Sequence, residues 1–228
     1  MSDVRVCNNR SLRAVVFDMD GVIIDSHPVH RRAWKEFLHS LGHPVSEHEL
    51  GYILEGRKRR EILCHFLGEL PEDKLSEYGK CKDEFFQRAF AEVRLVPGVA
   101  ELLECLLSHG VMVAVATSAS RMRTHSTLTR LHLQHYFAAI VTGDDVIAGK
   151  PDPTIYRTAC QQLAVVPSHA LAVEDAVPGI EAAVAAGMSC IGVIGNGNDP
   201  AMLRRAGAKR LVQDFNDVSM TDLAAMLA

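Results

Sequence analysis

Val15-Val16-Phe17-Asp18-Met19-Asp20-Gly21 is the stretch that decides the fold of this 228-residue chain. A β-branched and aromatic run of this length reads as a buried strand of a parallel sheet. Gly21 permits the sharp backbone exit that a strand-to-loop transition needs. Asp18 and Asp20 are therefore delivered to the carboxyl end of a central strand, where open α/β sheets bind ligands. Two carboxylates this close repel each other unless a cation or a raised pKa compensates. That combination suits phosphoryl chemistry.

Around this run the composition is that of an ordinary soluble globule. Hydrophobic residues make up 48% and charged residues 23% of the chain, enough apolar material for a sizeable core. The formal net charge of −4 argues against nucleic acid as a general partner. The six cysteines, at 7, 64, 81, 105, 160 and 190, show no C-x-x-C spacing and read as scattered reduced thiols. Met1 to Arg13 holds no apolar signal core, and the longest apolar run, Val111 to Ala116, is far too short to span a bilayer. The expectation is a cytoplasmic protein with no membrane, nucleic-acid or obligatory protein partner.

After Asp25 the pattern changes from strand to helix. Val29, Ala33, Phe37 and Leu41 recur at helical spacing, with Pro28 in the first turn and Gly42 as the stop. Further helices are expected over Arg59–Leu67 and Pro71–Glu92. From Leu95 onward strands and helices alternate. Strands are expected at Val111–Thr117, Ala139–Thr142, Leu171–Glu174, Cys190–Ile194 and Arg210–Val212. Helices are expected at Val99–His109, Arg121–His132, Thr154–Leu163, Gly179–Ala186, Ala201–Arg205 and Asp222–Leu227. Alternation at these lengths implies a parallel sheet with right-handed crossovers, an α/β doubly wound core with helices on both faces. Residues 1–25 and 95–228 form that core, and residues 26–94 an inserted helical cap placed as a lid over the carboxyl ends of the strands.

Three further strand ends carry polar groups. Thr117-Ser118-Ala119-Ser120 follows one strand and precedes a helix. The Thr117 hydroxyl and the N–H groups of Ser118 and Ala119 would cradle an anion there, or Ser118 or Ser120 would simply cap the helix. Lys150, held extended by Pro151, would neutralise a carboxylate together with a bound phosphate; otherwise it is an exposed turn lysine. Glu174-Asp175 either favours a helix N-terminus or supplies Asp175, supported by Glu174, as a hard oxygen ligand for Mg²⁺. A calcium loop at Asp18-Met19-Asp20-Gly21 lacks the third oxygen position and follows a strand, not a helix. His27 and His30 read as structural or relay residues in preference to a metal pair, and His132 and His135 as a helix end.

Taken together, Asp18-Met19-Asp20-Gly21-Val22, Thr117-Ser118, Lys150-Pro151 and Glu174-Asp175 form an ordered set that resembles the haloacid dehalogenase-like superfamily. The resemblance covers nearly the whole chain. It implies a Rossmann-like core, with Asp18 as nucleophile and Asp20 as general acid and base. It also implies Thr117, Ser118, Ala119 and Lys150 at the transferred phosphate, and Mg²⁺ held at Asp18, the Asp20 carbonyl and Asp175 with Glu174 beside it. The second aspartate argues against the dehalogenase and phosphonatase branches, which lack it.

Asp25-Ser26-His27-Pro28-Val29-His30-Arg31-Arg32-Ala33-Trp34 is similar to the cap entry of the β-phosphoglucomutase-like and sugar-phosphatase branch, with His30 and Trp34 on matching positions. Gly56-Arg57-Lys58-Arg59 resembles its cap specificity loop, which puts Arg59 where the mutase meets a distal phosphate, and Lys82 matches another cap lysine. The stretch near Arg94 is shorter than in that group. A short basic run such as Arg57-Lys58-Arg59-Arg60 is also an ordinary solvated face. The activity expected from this resemblance is that of a Mg²⁺-dependent phosphatase of a small phosphorylated metabolite, a sugar phosphate. A β-phosphoglucomutase is the alternative, and a non-catalytic binding relative would require loss of one of the core groups.

Overall fold

The computed structural model describes residues 11–53, 57–195 and 198–227. Cys7 and Gly56 of the sequence reading lie outside them. The chain opens with β1 (Ala14–Phe17) and a short β2 (Ile24–Asp25), then four helices: α1 (His27–Ser40), α2 (Glu47–Ile53), α3 (Arg59–Leu67) and α4 (Glu72–Arg88). A short β3 (Arg94–Leu95) closes against β2 in antiparallel register, Ile24 opposite Leu95 and Asp25 opposite Arg94. Regular alternation follows: α5 (Val99–Ser108), β4 (Met112–Ala116), α6 (Arg121–Arg130), β5 (Ala139–Val141), α7 (Thr154–Gln162), β6 (Ala170–Glu174) and α8 (Val177–Ala185). The chain continues through β7 (Ser189–Val193), α9 (Pro200–Ala206), β8 (Arg210–Val212) and α10 (Met220–Ala225).

Six strands form one parallel sheet in the order β5-β4-β1-β6-β7-β8. The chain fills one side of β1 through β4 and β5, then crosses to the other through β6. The carboxyl ends of β1, β4 and β6 thus meet where the winding reverses, which is where open α/β sheets take their ligands. Alternation of side chains along β1 explains its purely apolar sequence. Val15 and Phe17 enter one core with Val99, Leu103 and Leu223, while Ala14 and Val16 enter the opposite core with Tyr156, Ile180 and Leu203. A strand covered on both faces cannot alternate with polar residues, so it reads as a continuous apolar run.

The helices between β2 and β3 carry an apolar cluster of their own. Trp34, Phe37 and Leu38 of α1 pack with Leu50 and Ile53 of α2, Ile62 and Leu63 of α3 and Leu75 of α4. The sequence reading differs from the structure at three places here. The β2–β3 pair is absent from it, because two-residue strands leave no periodic signal. Helix α2 is also absent, although Ser46 and Glu49 form a reciprocal capping pair at its start: Ser46 N–H donates to Glu49 Oε2, and Glu49 N–H to Ser46 Oγ. The stretch Pro71–Glu92, read as one helix, divides into α4 and a 3-10 turn at Phe90–Glu92. In the core the helix expected from Gly179 begins two residues earlier, at Val177, with Pro178 in its first turn.

Candidate active site

The end of β1 projects Asp18 and Asp20 into a pocket between the sheet edge and the inserted helices, with an empty volume of about 690 Å³ including its open mouth. Gly21 sits at φ +77°, and a Cβ there would lie 2.0 Å from Asp175 Oδ2. Glycine is required for both the turn and the approach of that carboxylate. Asp175 itself follows β6. Helix α8 has Gly179 where a Cβ would strike the Glu174 carboxyl group at 2.0 Å, so a second glycine makes room for a second buried acid.

Lys150 joins the strand ends. Its Nζ is buried and lies 2.6 Å from Asp18 Oδ1, 2.5 Å from Glu174 Oε1 and 3.0 Å from the Ala116 carbonyl. Glu174 is further held by the Tyr156 hydroxyl at 2.8 Å and by the N–H groups of Asp175 and Ala176. Both Glu174 oxygens are thus committed to holding Lys150 and the loop after β6. Burial raises the Asp18 pKa well above the carboxylate range, and the neighbouring Glu174, Asp175 and Asp20 raise it further against Lys150. Burial alone would lower Lys150, but Asp18 and Glu174 outweigh it and hold the ammonium above its ordinary value.

Asp20 is treated oppositely. Burial would raise it, yet Arg123 and His30 hold it well below the usual range. Its Oδ1 accepts from Ser26 Oγ at 2.6 Å, from Arg123 Nη1 at 3.0 Å and from His30 Nε2 at 3.1 Å; its Oδ2 accepts from Arg123 Nη2 at 2.5 Å. His30 in turn receives Lys82 Nζ on Nδ1 at 3.0 Å. Burial and the adjacent Lys82 push the His30 pKa down to about 3, so the ring is neutral and relays between a cation and a carboxylate. Burial also lowers Lys82, to about 7, and Arg123 adds to the effect.

Thr117 directly follows β4 beside this group and is buried. The N–H of Ala119 donates to Thr117 Oγ1 at 3.2 Å, so that donor is turned onto the hydroxyl. The helix cap belongs to Ser120, whose Oγ accepts from the Arg123 N–H. Ser118, Ala119 and Thr117 all line the pocket. From the inserted helices, His30, Trp34, Arg59 and Lys82 line it as well. Arg59 Nη2 lies 2.5 Å from Asp83 Oδ2 and 3.1 Å from Ser120 Oγ, and Lys82 Nζ sits 5.3 Å from the Trp34 ring centre. All twelve residues singled out in the sequence reading thus come to one pocket.

Four residues escaped that reading or were given a lesser part. His27 Nε2 lies 2.9 Å from Asp175 Oδ2, an ion-pair distance without the alignment of a hydrogen bond. Burial would lower its pKa, but Asp175 raises it to about 9. Ser26 donates to Asp20, and Tyr156 to Glu174. Arg123 carries a readable signal: a positive residue in the first turn of α6 opposes the helix dipole and needs another reason to be there.

The donor set fits a hard divalent cation. Asp175 Oδ2 is buried without an aligned donor, and burial raises its pKa. Asp18 lies in the same carboxylate-rich environment. Among the described residues no three His, Cys, Asp or Glu side chains enclose a metal by themselves. Mg²⁺ needs no such cage, since it takes one or two carboxylates and completes its shell with water and phosphate oxygens.

The family model of haloacid dehalogenase-like hydrolases matches residues 15–193. A phosphorylated carbohydrates phosphatase of Thermotoga maritima is 38% identical over 89% of this chain and 94% of its own. The β-phosphoglucomutase of Bacillus subtilis is 31% identical over 92% of each chain. The crystal structure of CbbY from Rhodobacter sphaeroides in complex with phosphate superposes with a TM-score of 0.82, at 30% identity over 93% of this chain and 99% of that one. The chain belongs to the haloacid dehalogenase-like hydrolases, as an enzyme acting on phosphoric monoesters.

Proposed function

We propose that this protein is a Mg²⁺-dependent phosphatase that hydrolyses a small phosphorylated metabolite, a sugar phosphate, through an aspartyl-phosphate on Asp18. The observation that carries the reading is the Lys150 ammonium held between Asp18 and Glu174 beneath the pocket. An ammonium so placed lets an anionic nucleophile approach an anionic phosphate. Asp18 attacks phosphorus, its P–O bond forms as the bond to the leaving oxygen breaks, and one difficult displacement becomes two. Asp20, which Arg123 and His30 hold ionised in the resting site, takes up a proton as substrate binds, gives it to the leaving oxygen, then removes one from the water that hydrolyses the acyl phosphate; such transfers contribute about 10²–10⁴-fold. Thr117 and the Ser118-Ala119 backbone hold the phosphoryl oxygens once the phosphate replaces their internal bond.

Asp18, the Asp20 carbonyl and Asp175 would hold Mg²⁺, with Glu174 fixing Lys150 behind them. When bound, the ion neutralises charge on the carboxylate and phosphate oxygens. Residues 26–94 act as a cap that closes the pocket. Its contacts to the core, Lys58 Nζ to the Val146 carbonyl at 2.6 Å and Arg59 to Ser120, support that role. The carbohydrate substrate rests on the likeness to the phosphorylated carbohydrates phosphatase of Thermotoga maritima. A cytoplasmic location is supported by the five free cysteines among the described residues. No helix among those residues is long and apolar enough to cross a membrane.

One observation favours a second reading, β-phosphoglucomutase: His30, Lys82 and Arg59 line the pocket opposite the nucleophile and would suit a bisphosphate. The deciding experiment supplies β-glucose 1-phosphate, Mg²⁺ and a trace of glucose 1,6-bisphosphate, and tracks glucose 6-phosphate and free phosphate separately. Phosphate is expected to dominate. Isomer with little phosphate would make the mutase the right reading.

A further inference from the structure

The pocket lining gathers both signs of charge. Asp18, Asp20, Glu174 and Asp175 share it with Lys150 and with Arg59, Lys82 and Arg123. Arg59 is answered by Asp83, but among the described residues Lys82 bonds to a neutral histidine and to no carboxylate. Arg123, from a core helix, is 5% exposed and commits both Nη atoms to Asp20. Because Nδ1 of His30 accepts from Lys82, the network assigns the ring hydrogen to Nε2. That N–H, Ser26 Oγ and Arg123 Nη1 then all aim at Asp20 Oδ1, while Nη1 and Nε2, both donors, stand 3.1 Å apart. Oδ1 is oversupplied. Among the described residues, Oδ2 has Arg123 as its donor.

We propose that Arg123 determines substrate specificity by binding a second anionic group, carboxylate or phosphate, on the leaving group, and that it releases Asp20 in doing so. The proposal rests on the phosphatase reading, since Asp20 serves the leaving oxygen there. A guanidinium fork fits either anion with two parallel hydrogen bonds. Asp20 keeps Ser26 and His30 on Oδ1 after Arg123 departs, so the carboxyl group stays anchored while Oδ2 becomes available to the leaving oxygen. A second anion also answers the cation crowding around Lys82. A neutral leaving group offers Arg123 no exchange and leaves Asp20 bound at both oxygens.

The test gives the full chain with Mg²⁺ three esters: glucose 6-phosphate, 6-phosphogluconate and glucose 1,6-bisphosphate. The first leaves a neutral sugar, the second carries a carboxylate and the third a second phosphate. Wild type is expected to prefer at least one of the last two over glucose 6-phosphate by about tenfold or more in kcat/KM, because with a neutral leaving group Asp20 stays bound to Arg123 and its proton transfer to the leaving oxygen is lost. Which of the two is preferred identifies the anion. Arg123→Gln is expected to bring the ratio to within about threefold, and Arg123→Lys, which keeps charge without the fork, to retain part of it. A ratio that survives Arg123→Gln, or no preference in wild type, overturns the proposal.

Calorimetric binding of the same esters to Asp18→Asn protein, with and without Arg123→Gln, reads the assignment without turnover. Loss of the anion preference in the double variant supports it, and equal affinities in both proteins overturn it. If binding shows the preference while no ester releases phosphate, the hydrolase reading fails and the Arg123 assignment stands.

Discussion

Lys150 Nζ stands 2.6 Å from Asp18 Oδ1 across a sequence separation of 132 residues. The contact exists because β1 and β6 are sheet neighbours, Phe17 beside Val173, so their ends open onto one point beside the β5–α7 loop that carries the lysine. Three buried charged groups, Asp18, Lys150 and Glu174, depend on one another there.

Lys150→Met is therefore expected to cost both activity and stability. Removing the ammonium strands two buried acids, and breaking a buried pair in this way costs about 3–5 kcal/mol. Turnover should fall by about 10³-fold or more, since an electrostatic donor at the reacting centre is lost. Denaturant unfolding and phosphate release measured on the same preparation check both.

Tyr156→Phe isolates the support beneath that lysine. The hydroxyl donates to Glu174 Oε1 at 2.8 Å inside the core, so its loss should lower stability by about 1–3 kcal/mol. Glu174 keeps Lys150 and two backbone donors, and kcat should fall less than in Lys150→Met. Equal losses in the two variants would show that Tyr156 does more than hold Glu174.

Much of this arrangement is legible in the sequence, for a physical reason. Groups at the ends of buried parallel strands sit just beyond apolar runs, so Asp18, Thr117 and Asp175 announce themselves by position. Lys150 is legible through the proline after it. Tyr156 is not, because it lies within a helix whose periodicity accounts for it as an ordinary core residue, and Arg123 shows only as a cation set against the dipole in the first turn of α6. The two-residue strands Ile24–Asp25 and Arg94–Leu95 are invisible for want of any period. Lys82 occupies the buried stripe of α4 with Leu75, Gly79 and Phe86, an exception that only burial turns into a finding.

Lys82 also gives a pH signature. Burial lowers its pKa from 10.5 unfolded to about 7 folded. Between those values the unfolded chain binds a proton that the folded chain does not, so this group makes stability rise with pH through that window. Below the folded value the full penalty is present. Lys82→Met should therefore stabilise the protein by about 1–4 kcal/mol at slightly acid pH, with the advantage shrinking toward pH ~10. Denaturant midpoints of both proteins across this range check it; an advantage that grows with pH would contradict the sign.

Metal dependence should appear in stability as well as turnover. An ion that binds only the folded chain stabilises it by about 2.7 kcal/mol at a hundredfold excess over Kd. Mg²⁺ is expected to raise the melting temperature of wild type and to have little effect on Asp175→Asn, while chelation abolishes phosphate release. An undiminished shift in Asp175→Asn would place the ion elsewhere.

The central claim is that phosphorus becomes bonded to Asp18. Rapid acid quench of the enzyme during turnover with Mg²⁺ and a sugar phosphate, then peptide mass mapping, looks for the phosphoryl group directly. The account predicts a base-labile adduct on the peptide holding Asp18, absent from the Asp18→Asn protein, which should bind substrate without turning it over. An adduct on another residue, or near-normal turnover by Asp18→Asn, would contradict it.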